Sequence, residues 1–179
     1  MTRCLIVVDY QNEYVTGAHG FDEAKKLECL ILAKVKAYEA TNDHIIYLLD
    51  AHFDECLQKL NLAGFNMKAN MKQDEPHALY GKVFSHYKSS DYNDVTLIYK
   101  DTYGSSDLME HLLKSHAYET IELVGVVSYM CVLANAIIAK TAQLAANIVV
   151  CENHVAGPDV KLHQASIEIL KQAWKIKTE

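Results

Sequence analysis

Five short apolar runs, rich in β-branched residues, constrain the fold of this chain more than any other feature. The first, Leu5–Val8, stops abruptly at Asp9. Runs of this length without polar alternation are typical of strands that are buried on both faces. The remaining four runs are His44–Leu49, Val95–Tyr99, Thr120–Val124 and Ile148–Cys151.

Segments with helical spacing of apolar residues separate most of these runs. They are Asp22–Ala40, Leu108–Ser115, Tyr129–Ala146 and Leu162–Lys175. Strands that alternate with helices of this length predict a parallel sheet with helices on both faces. We therefore predict an α/β fold with three α-β-α layers and a mostly parallel sheet of five to six strands. A length of 179 residues suits one domain, and we assign residues 1–179 to it.

The segment Phe53–Lys88 does not follow this rhythm, because it is long, polar and interrupted by Pro76. Long segments without regular structure in a compact domain are lids, walls of a site, or disordered stretches. We expect it to form part of the wall of a site.

Charge and apolar patterning exclude several classes of protein. The net charge is -6 and no basic face is evident, so a nucleic-acid partner is not expected. The most apolar long window, Val132–Val150, contains polar residues that would be costly inside a bilayer, so no membrane span is expected. The N-terminal apolar run is too short for a secretory signal. The five cysteines form no CxxC pair, which indicates free thiols and a cytoplasmic protein.

Chemically useful residues follow several of the predicted strands. Asp9 follows the first strand, Asp50 the second and Lys100 the third, and the fourth leads through a turn to Cys131. Ligands of an open α/β sheet bind outside the carboxyl ends of its strands. We therefore expect these side chains to meet at one edge of the sheet.

The residue types at this edge suit nucleophilic catalysis on a carbonyl group. Cys131 opens a helix, where the positive end of the helix dipole is expected to lower the pKa of a thiol. Asp9 is the candidate base, and Lys100 is the candidate for stabilising charge on both groups. Backbone N–H groups of the turn before Cys131 are candidates for an oxyanion hole.

Four motifs of the chain resemble those of the isochorismatase-like cysteine hydrolases, which include the nicotinamidases. Val7-Val8-Asp9-Tyr10-Gln11-Asn12-Glu13-Tyr14 resembles their opening VVDxQNDF. Gly125-Val126-Val127-Ser128-Tyr129-Met130-Cys131-Val132 resembles their nucleophile turn GxxTxxCV. Tyr99-Lys100-Asp101-Thr102-Tyr103 is similar to their lysine segment, and His163-Gln164-Ala165 to the start of their last helix.

The resemblance implies roles for particular residues of this chain. It implies a catalytic triad of Asp9, Lys100 and Cys131, and a non-proline cis peptide between Val126 and Val127. It also implies an oxyanion hole built from the backbone N–H groups of Val127 and Cys131. Candidates for the substrate pocket are Tyr14, Tyr103 and Tyr129. The family's aromatic residue after the lysine segment is absent here, where Tyr103-Gly104-Ser105-Ser106 stands.

The resemblance further implies a divalent metal site, with zinc as an example, although the acyl-transfer chemistry requires no cofactor. Asp50-Ala51-His52 matches the first part of the site, and His77, which follows Pro76, is the candidate for a later ligand. A competing alignment places Ala78-Leu79-Tyr80-Gly81 beyond the metal histidine, and His77 is then not a ligand. A hydrogen-bonded pair that orders the end of a strand is the alternative role of Asp50 and His52.

The expected function is hydrolysis of a C–N amide bond in a small nicotinamide-like or pyrazinamide-like molecule, through a thioester on Cys131. The alternatives are an isochorismatase-type hydrolase, a carbamoyl or ureido amide hydrolase of the same family, and a binding homologue with a degraded pocket. An intact Cys131 favours amide chemistry, because hydrolysis of a vinyl ether does not require the thiol. A homodimer or higher homo-oligomer is expected from the family resemblance and from the apolar residues Ile167, Leu170 and Trp174 on the last helix.

Overall fold

A computed structural model describes residues 2–51 and 71–179 of the chain. Its strands, in chain order, are β1 (Arg3–Val8), β2 (His44–Asp50), β3 (Val95–Lys100), β4 (Thr120–Val126), β5 (Asn147–Ala156) and β6 (Lys177–Thr178). The helices are α1 (Asn12–Val15), α2 (Asp22–Lys26), α3 (Glu28–Ala40), α4 (Gly81–Ser89), α5 (Ser106–Lys114), α6 (Leu133–Ala142) and α7 (Val160–Gln172). A π-helical turn at Ser128–Val132 leads into α6.

The six strands form one sheet in the order β3-β2-β1-β4-β5-β6, and every pair is parallel. The predicted three-layer α/β fold with a parallel sheet is therefore confirmed. The order reverses direction at β1, so the carboxyl ends of β1, β2 and β4 lie next to one another. A crevice outside the strand ends at such a reversal is where open α/β sheets bind ligands.

Successive residues of β1 contribute to opposite faces of the sheet, as the two-residue period of a strand requires. Leu5 and Val7 belong to the core beneath α1 to α4, whereas Cys4, Ile6 and Val8 belong to the core beneath α5 to α7. None of these five side chains is exposed. The continuous apolar run thus reflects burial on both faces, and it fixes β1 at the centre of the sheet.

The predicted helix Asp22–Ala40 forms two helices in the structure, α2 and α3, which are separated by a turn at Leu27. Leu27 is buried, so the apolar spacing continues through the break and conceals it. The predicted helix Tyr129–Ala146 also differs from the structure, because it begins as the π-helical turn and α6 ends at Ala142.

Helix α4 begins inside the segment Phe53–Lys88, which the sequence predicts to be irregular, so that prediction is wrong from Gly81 to Lys88. Val83, Phe84 and Tyr87 are buried on one side of the helix, against α3. Polar residues occupy the other positions of α4, so the apolar stripe is too narrow to predict a helix from the sequence. Residues 52–70, which include His52 and Cys56, lie outside the described residues.

Two of the three apolar residues that motivated the prediction of an oligomer belong to the core. Ile167 and Leu170 pack beneath α7 against the sheet, whereas 43% of Trp174 is exposed. Within 2–51 and 71–179, no helix is long and apolar enough to cross a membrane.

Candidate active site

Asp9 follows β1 directly and is 1% exposed. Its φ of 47° lies in the left-handed region, which aspartate tolerates better than most residues. The backbone N–H of Asp9 donates to the carbonyl oxygen of Leu48 at 2.8 Å, so the turn stays anchored to β2. The carboxylate is thereby held at the carboxyl edge of the sheet, away from water.

The ammonium group of Lys100 lies at the centre of the site. Lys100 ends β3 and pairs in register with Asp50 of β2. Its Nζ lies 2.9 Å from Oδ2 of Asp9 and 3.4 Å from Oδ1 of Asp50. The same Nζ lies 3.5 Å from the Sγ of Cys131 and donates to the carbonyl oxygen of Thr102 at 3.1 Å. The structure therefore brings together Asp9, Lys100 and Cys131, which the sequence places at the ends of three strands.

A constrained turn carries Cys131 from β4 to this position. Gly125 has a φ of 117°, and a Cβ at this residue would lie 2.0 Å from the carbonyl oxygen of Val8. Only glycine fits both restrictions. The peptide bond between Val126 and Val127 is cis, at the place that the resemblance implies. The π-helical turn then begins at Ser128 and presents Cys131 beside Lys100.

Burial and neighbouring charges set the protonation of the site. Burial raises the pKa of Asp9 to about 6, although Lys100 and a hydrogen bond from Cys131 act in the opposite direction. Burial lowers the pKa of Lys100, but the charges of Asp9, Cys131 and Asp50 outweigh it and leave that pKa raised. The resting site therefore holds an ammonium group beside a carboxylate of raised pKa.

The pKa expected for Cys131 from the sequence is wrong in direction. Burial and the negative charge of Asp9 raise the pKa of the thiol, and the opposing effect of Lys100 is smaller. Cys131 is the fourth residue of the π-helical turn and not the first residue of α6, so it does not occupy the helix start that the sequence predicts. The thiol is consequently protonated at rest, and its proton must move when the sulfur attacks.

A cavity of about 430 Å³ opens above the Sγ of Cys131 and is lined largely by apolar surface. Tyr14, Tyr103 and Tyr129, the candidates for the substrate pocket, all line it. Asp9, Asp50 and Lys100 form part of the same wall. The hydroxyl of Tyr14 donates to Oδ2 of Asp50. The cavity thus combines aromatic walls with a charged end at which the thiol lies.

Gln11 is a buried amide at the site whose role the sequence did not reveal. Its Nε2 donates to the carbonyl oxygens of Asp50, at 3.0 Å, and His77, at 2.8 Å. Its Oε1 accepts from the N–H of Asp50 at 2.8 Å. Gln11 therefore joins the end of β2 to the segment before α4. A glutamine three residues after a buried strand is a signal, but its partners are distant in sequence.

The turn that bears Cys131 is also supported from α7. The Nδ1 of His163 lies 2.9 Å from the Oγ of Ser128, which is 1% exposed. Gly157 lies against the same turn, and a Cβ there would come within 2.6 Å of Cε1 of Tyr129. These contacts leave the turn little freedom to move away from Lys100.

The sequence of the chain also matches the model of a known protein family. The family model described as "Isochorismatase domain" matches residues 3–179, which is almost the whole chain. This chain belongs to the isochorismatase family. It is accordingly an isochorismatase-family hydrolase. No curated protein matches it.

Solved structures of nicotinamidases share the fold of this isochorismatase-family chain. Nicotinamidase PncA from Bacillus subtilis is 23% identical, with a TM-score of 0.80 and coverage of 99% of both chains. Nicotinamidase SaPncA from Staphylococcus aureus is 26% identical, with a TM-score of 0.75 and coverage of 100% of this chain and 98% of the other. The pyrazinamidase of Pyrococcus horikoshii, solved in complex with zinc, is 19% identical, with a TM-score of 0.73 and coverage of 100% and 99%.

The described part of this isochorismatase-family chain holds no group of three or more His, Cys, Asp or Glu side chains arranged for a metal ion. Both carboxylate oxygens of Asp50 already have partners, since Oδ1 faces Lys100 and Oδ2 accepts from Tyr14. The Nε2 of His77 lies 3.2 Å from Oε2 of Glu75. His52 lies outside the described residues, so the predicted set of Asp50, His52 and His77 stays a prediction. The residues described here do not form a metal site by themselves.

Proposed function

We propose that this chain is a cysteine amidohydrolase that cleaves the C–N bond of a small planar amide of the nicotinamide or pyrazinamide type. The observation that carries the proposal is the position of one ammonium group, on Lys100, within 3.5 Å of both the carboxylate of Asp9 and the thiol of Cys131. A nucleophile, a base and a fixed positive charge are thus adjacent, as covalent catalysis requires.

In the first step, the proton of the Cys131 thiol passes to Asp9 while the Sγ attacks the carbonyl carbon of the amide. The raised pKa of Asp9, about 6, makes this carboxylate a stronger base than an exposed aspartate. Lys100 stays protonated and stabilises the negative charge as it moves from Asp9 to sulfur. The total charge of the site does not change, which suits a buried site.

The carbonyl oxygen becomes an oxyanion, which we assign to the backbone N–H groups of Val127 and Cys131. Donors fixed in this way stabilise the tetrahedral intermediate more than the ground state. The proton held by Asp9 then passes to the nitrogen, the C–N bond breaks and ammonia leaves. A water molecule attacks the thioester and gives its proton to Asp9, the C–S bond breaks, and the thiol takes the proton back. These steps use Asp9, Lys100 and Cys131, and none requires a metal ion.

The cavity supports a small aromatic or heteroaromatic amide as substrate. Its volume of about 430 Å³ lies in the range of pockets for small molecules, and its walls include Tyr14, Tyr103 and Tyr129. Rings of this kind stack on planar groups or contact them edge-on. The amide carbon must reach the Sγ of Cys131 at the charged end of the cavity.

A panel of amides, assayed for release of ammonia, tests the function. Nicotinamide, pyrazinamide and benzamide represent planar amides, and N-carbamoyl amino acids and aliphatic amides represent the other classes. We expect the planar amides to be hydrolysed fastest and Cys131→Ala to abolish the reaction while the circular dichroism spectrum is unchanged. Full activity of Cys131→Ala would exclude the thioester mechanism, and a preference for aliphatic or carbamoyl amides would exclude the substrate class.

We further propose that the chain forms a homodimer. The family resemblance supports this, together with two exposed apolar residues: Ile169 of α7, which is 45% exposed, and Trp174 just after α7, which is 43% exposed. Sedimentation velocity at micromolar concentration tests the proposal. A single species with the monomer mass of 20.2 kDa would contradict it.

A further inference from the structure

Asn135 is a fully buried amide on α6, one helical turn after Cys131. Its Nδ2 donates to the carbonyl oxygen of Cys131 at 2.8 Å and to that of Tyr103 at 2.9 Å. Its Oδ1 accepts from the N–H of Ser105 at 3.0 Å. One side chain therefore satisfies three backbone groups that belong to two different segments, and both Nδ2 protons are used.

The second of these segments, residues 101–105, connects β3 to α5 and begins directly after Lys100. It is held from two directions, since Lys100 donates to the carbonyl oxygen of Thr102. Ser105 also caps α5, because its hydroxyl accepts from the N–H of Leu108. Gly104 packs against α6, where a Cβ would lie 2.9 Å from the end of the Ile138 side chain. Thr102 and Tyr103 of this segment line the cavity above Cys131.

We propose that Asn135 is a positioning residue, which holds the 101–105 segment against the backbone of Cys131. It thereby sets both the distance between the Nζ of Lys100 and the Sγ of Cys131 and the place of Tyr103 in the cavity wall. The inference rests on the proposed function, because the distance matters for thioester chemistry. Asn135 touches neither the sulfur nor the cavity among the contacts described, so it acts through the groups it holds.

The chemistry of the contacts explains why a carboxamide is needed. Two carbonyl oxygens require two donors and an N–H requires an acceptor, and asparagine supplies all three on one short side chain. Leucine has a similar size and supplies none. Threonine can donate its hydroxyl to the carbonyl four residues earlier, here that of Cys131, but it has no second donor for Tyr103.

The same helix offers a matched control at its other end. Gln143 follows α6, and its Nε2 donates to the carbonyl oxygen of Leu112 at 2.6 Å and to that of His116 at 3.5 Å. Its Oε1 accepts from the N–H of Tyr118 at 3.3 Å. Gln143 therefore ties a loop to α6 with the same number of hydrogen bonds, but near the amino edge of the sheet, away from Cys131.

The experiment compares Asn135→Leu, Asn135→Thr and Gln143→Leu in a background that lacks Cys29 and Cys56. The readouts are the second-order rate of Cys131 alkylation by iodoacetamide between pH 6 and 9, kcat and KM for the best amide, and the midpoint of unfolding in urea. We expect Asn135→Leu to lower the alkylation rate and kcat about 10- to 100-fold, as a displacement near 1 Å would. We expect Asn135→Thr to lie between this variant and the parent, and Gln143→Leu to lower only the urea midpoint.

Equal loss of alkylation rate in Asn135→Leu and Gln143→Leu would overturn the proposal, since loss of stability alone would then explain the effect. An unchanged rate in both Asn135 variants would overturn it as well. If Asn135→Leu does not fold, Asn135→Thr decides, because it retains one of the three hydrogen bonds. Absence of amide hydrolysis by the parent would refute the proposed function but leave the alkylation readout, which tests the placement of Lys100 beside Cys131 independently.

Discussion

The Nζ of Lys100 lies 2.9 Å from Oδ2 of Asp9, and each of the two side chains exposes only 2% of its surface. A charge pair this deeply buried is costly to form from solvated ions and still more costly to break, because the remaining partner keeps an uncompensated charge. Asp50 adds a second carboxylate at 3.4 Å from the same ammonium group. The stability of the fold and the chemistry of the site are therefore coupled through Lys100.

Replacing Lys100 with methionine should lower the free energy of unfolding by about 3–5 kcal/mol at pH 7, because the Asp9 and Asp50 carboxylates stay buried without their cation. The loss should be smaller at pH 5, where the Asp9 carboxylate becomes protonated. Urea unfolding at the two pH values measures both effects. Lys34→Met is the control, since Lys34 pairs with Glu122 at 2.7 Å but is 25% exposed, and its loss should be smaller and less dependent on pH.

The ratio kcat/KM should rise with pH and level off above the pKa of Asp9, which is about 6. This acid limb is expected because only the carboxylate form of Asp9 can accept the thiol proton. Asp9→Asn should lower kcat by about 10²- to 10⁴-fold and should remove this limb. Rates measured at intervals of about 0.5 pH units, between roughly pH 5 and pH 8, are enough to define this acid limb. An acid limb that persists in Asp9→Asn would assign the base to another residue.

The Asp9 carboxyl group should also make the free energy of unfolding fall as the pH rises, whereas kcat/KM rises. Its pKa is raised on folding from 3.8 to about 6, so the native state binds more protons than the unfolded chain between these values. The contribution of Asp9 to the free energy of unfolding is therefore fully present below pH 3.8 and is lost as the pH rises through 6. Urea unfolding of the parent and Asp9→Asn should show that this slope is absent in the variant.

Alkylation should identify Cys131 among the other cysteines. Cys4 and Cys151 are buried, and burial raises the pKa of both thiols, to about 12 for Cys151. Cys29 is exposed and should also be modified. We expect nicotinamide to protect Cys131 but not Cys29, as peptide mass spectrometry of partially alkylated protein would show. Lys100→Met should slow modification of Cys131, because Lys100 lowers the pKa of that thiol. Equal protection of both residues would indicate that the amide does not bind in the cavity.

Gly125→Ala should destabilise the protein severely, by roughly 3 kcal/mol or more, because it combines an unfavourable φ with a backbone collision. The added Cβ would lie 2.0 Å from the carbonyl oxygen of Val8, which belongs to the central strand and cannot move aside. Gly104→Ala is the matched control, since its Cβ would lie 2.9 Å from the flexible end of Ile138 and at an ordinary contact distance of 3.7 Å from Ala134. The loss should be under about 1 kcal/mol. Thermal unfolding of the two variants provides the comparison, and similar midpoints would contradict the expectation.

The amino-acid sequence by itself determined the sheet and the three groups at its edge. Continuous apolar runs such as Leu5–Val8 indicate strands that are buried on both faces, because such a strand has no polar residue until it leaves the sheet. The polar residue that follows then lies at the edge where ligands bind, and this places Asp9 and Lys100. Helix α4 was missed because its apolar stripe is defined by contact with α3, which local spacing does not record.

Only the tertiary structure decided the electrostatics of the site and the groups that hold it together. The pKa of Cys131 was expected to fall from its place at the start of a helix, but burial and the charge of Asp9 raise it. Desolvation depends on every atom packed around the sulfur, and these atoms come from segments far apart in sequence. Gln11 and Asn135 illustrate the same limit, because their carboxamides bind backbone groups of segments that are distant along the chain. A local pattern can show that an amide is present in an apolar stretch, whereas its partners exist only once the strands and loops have assembled.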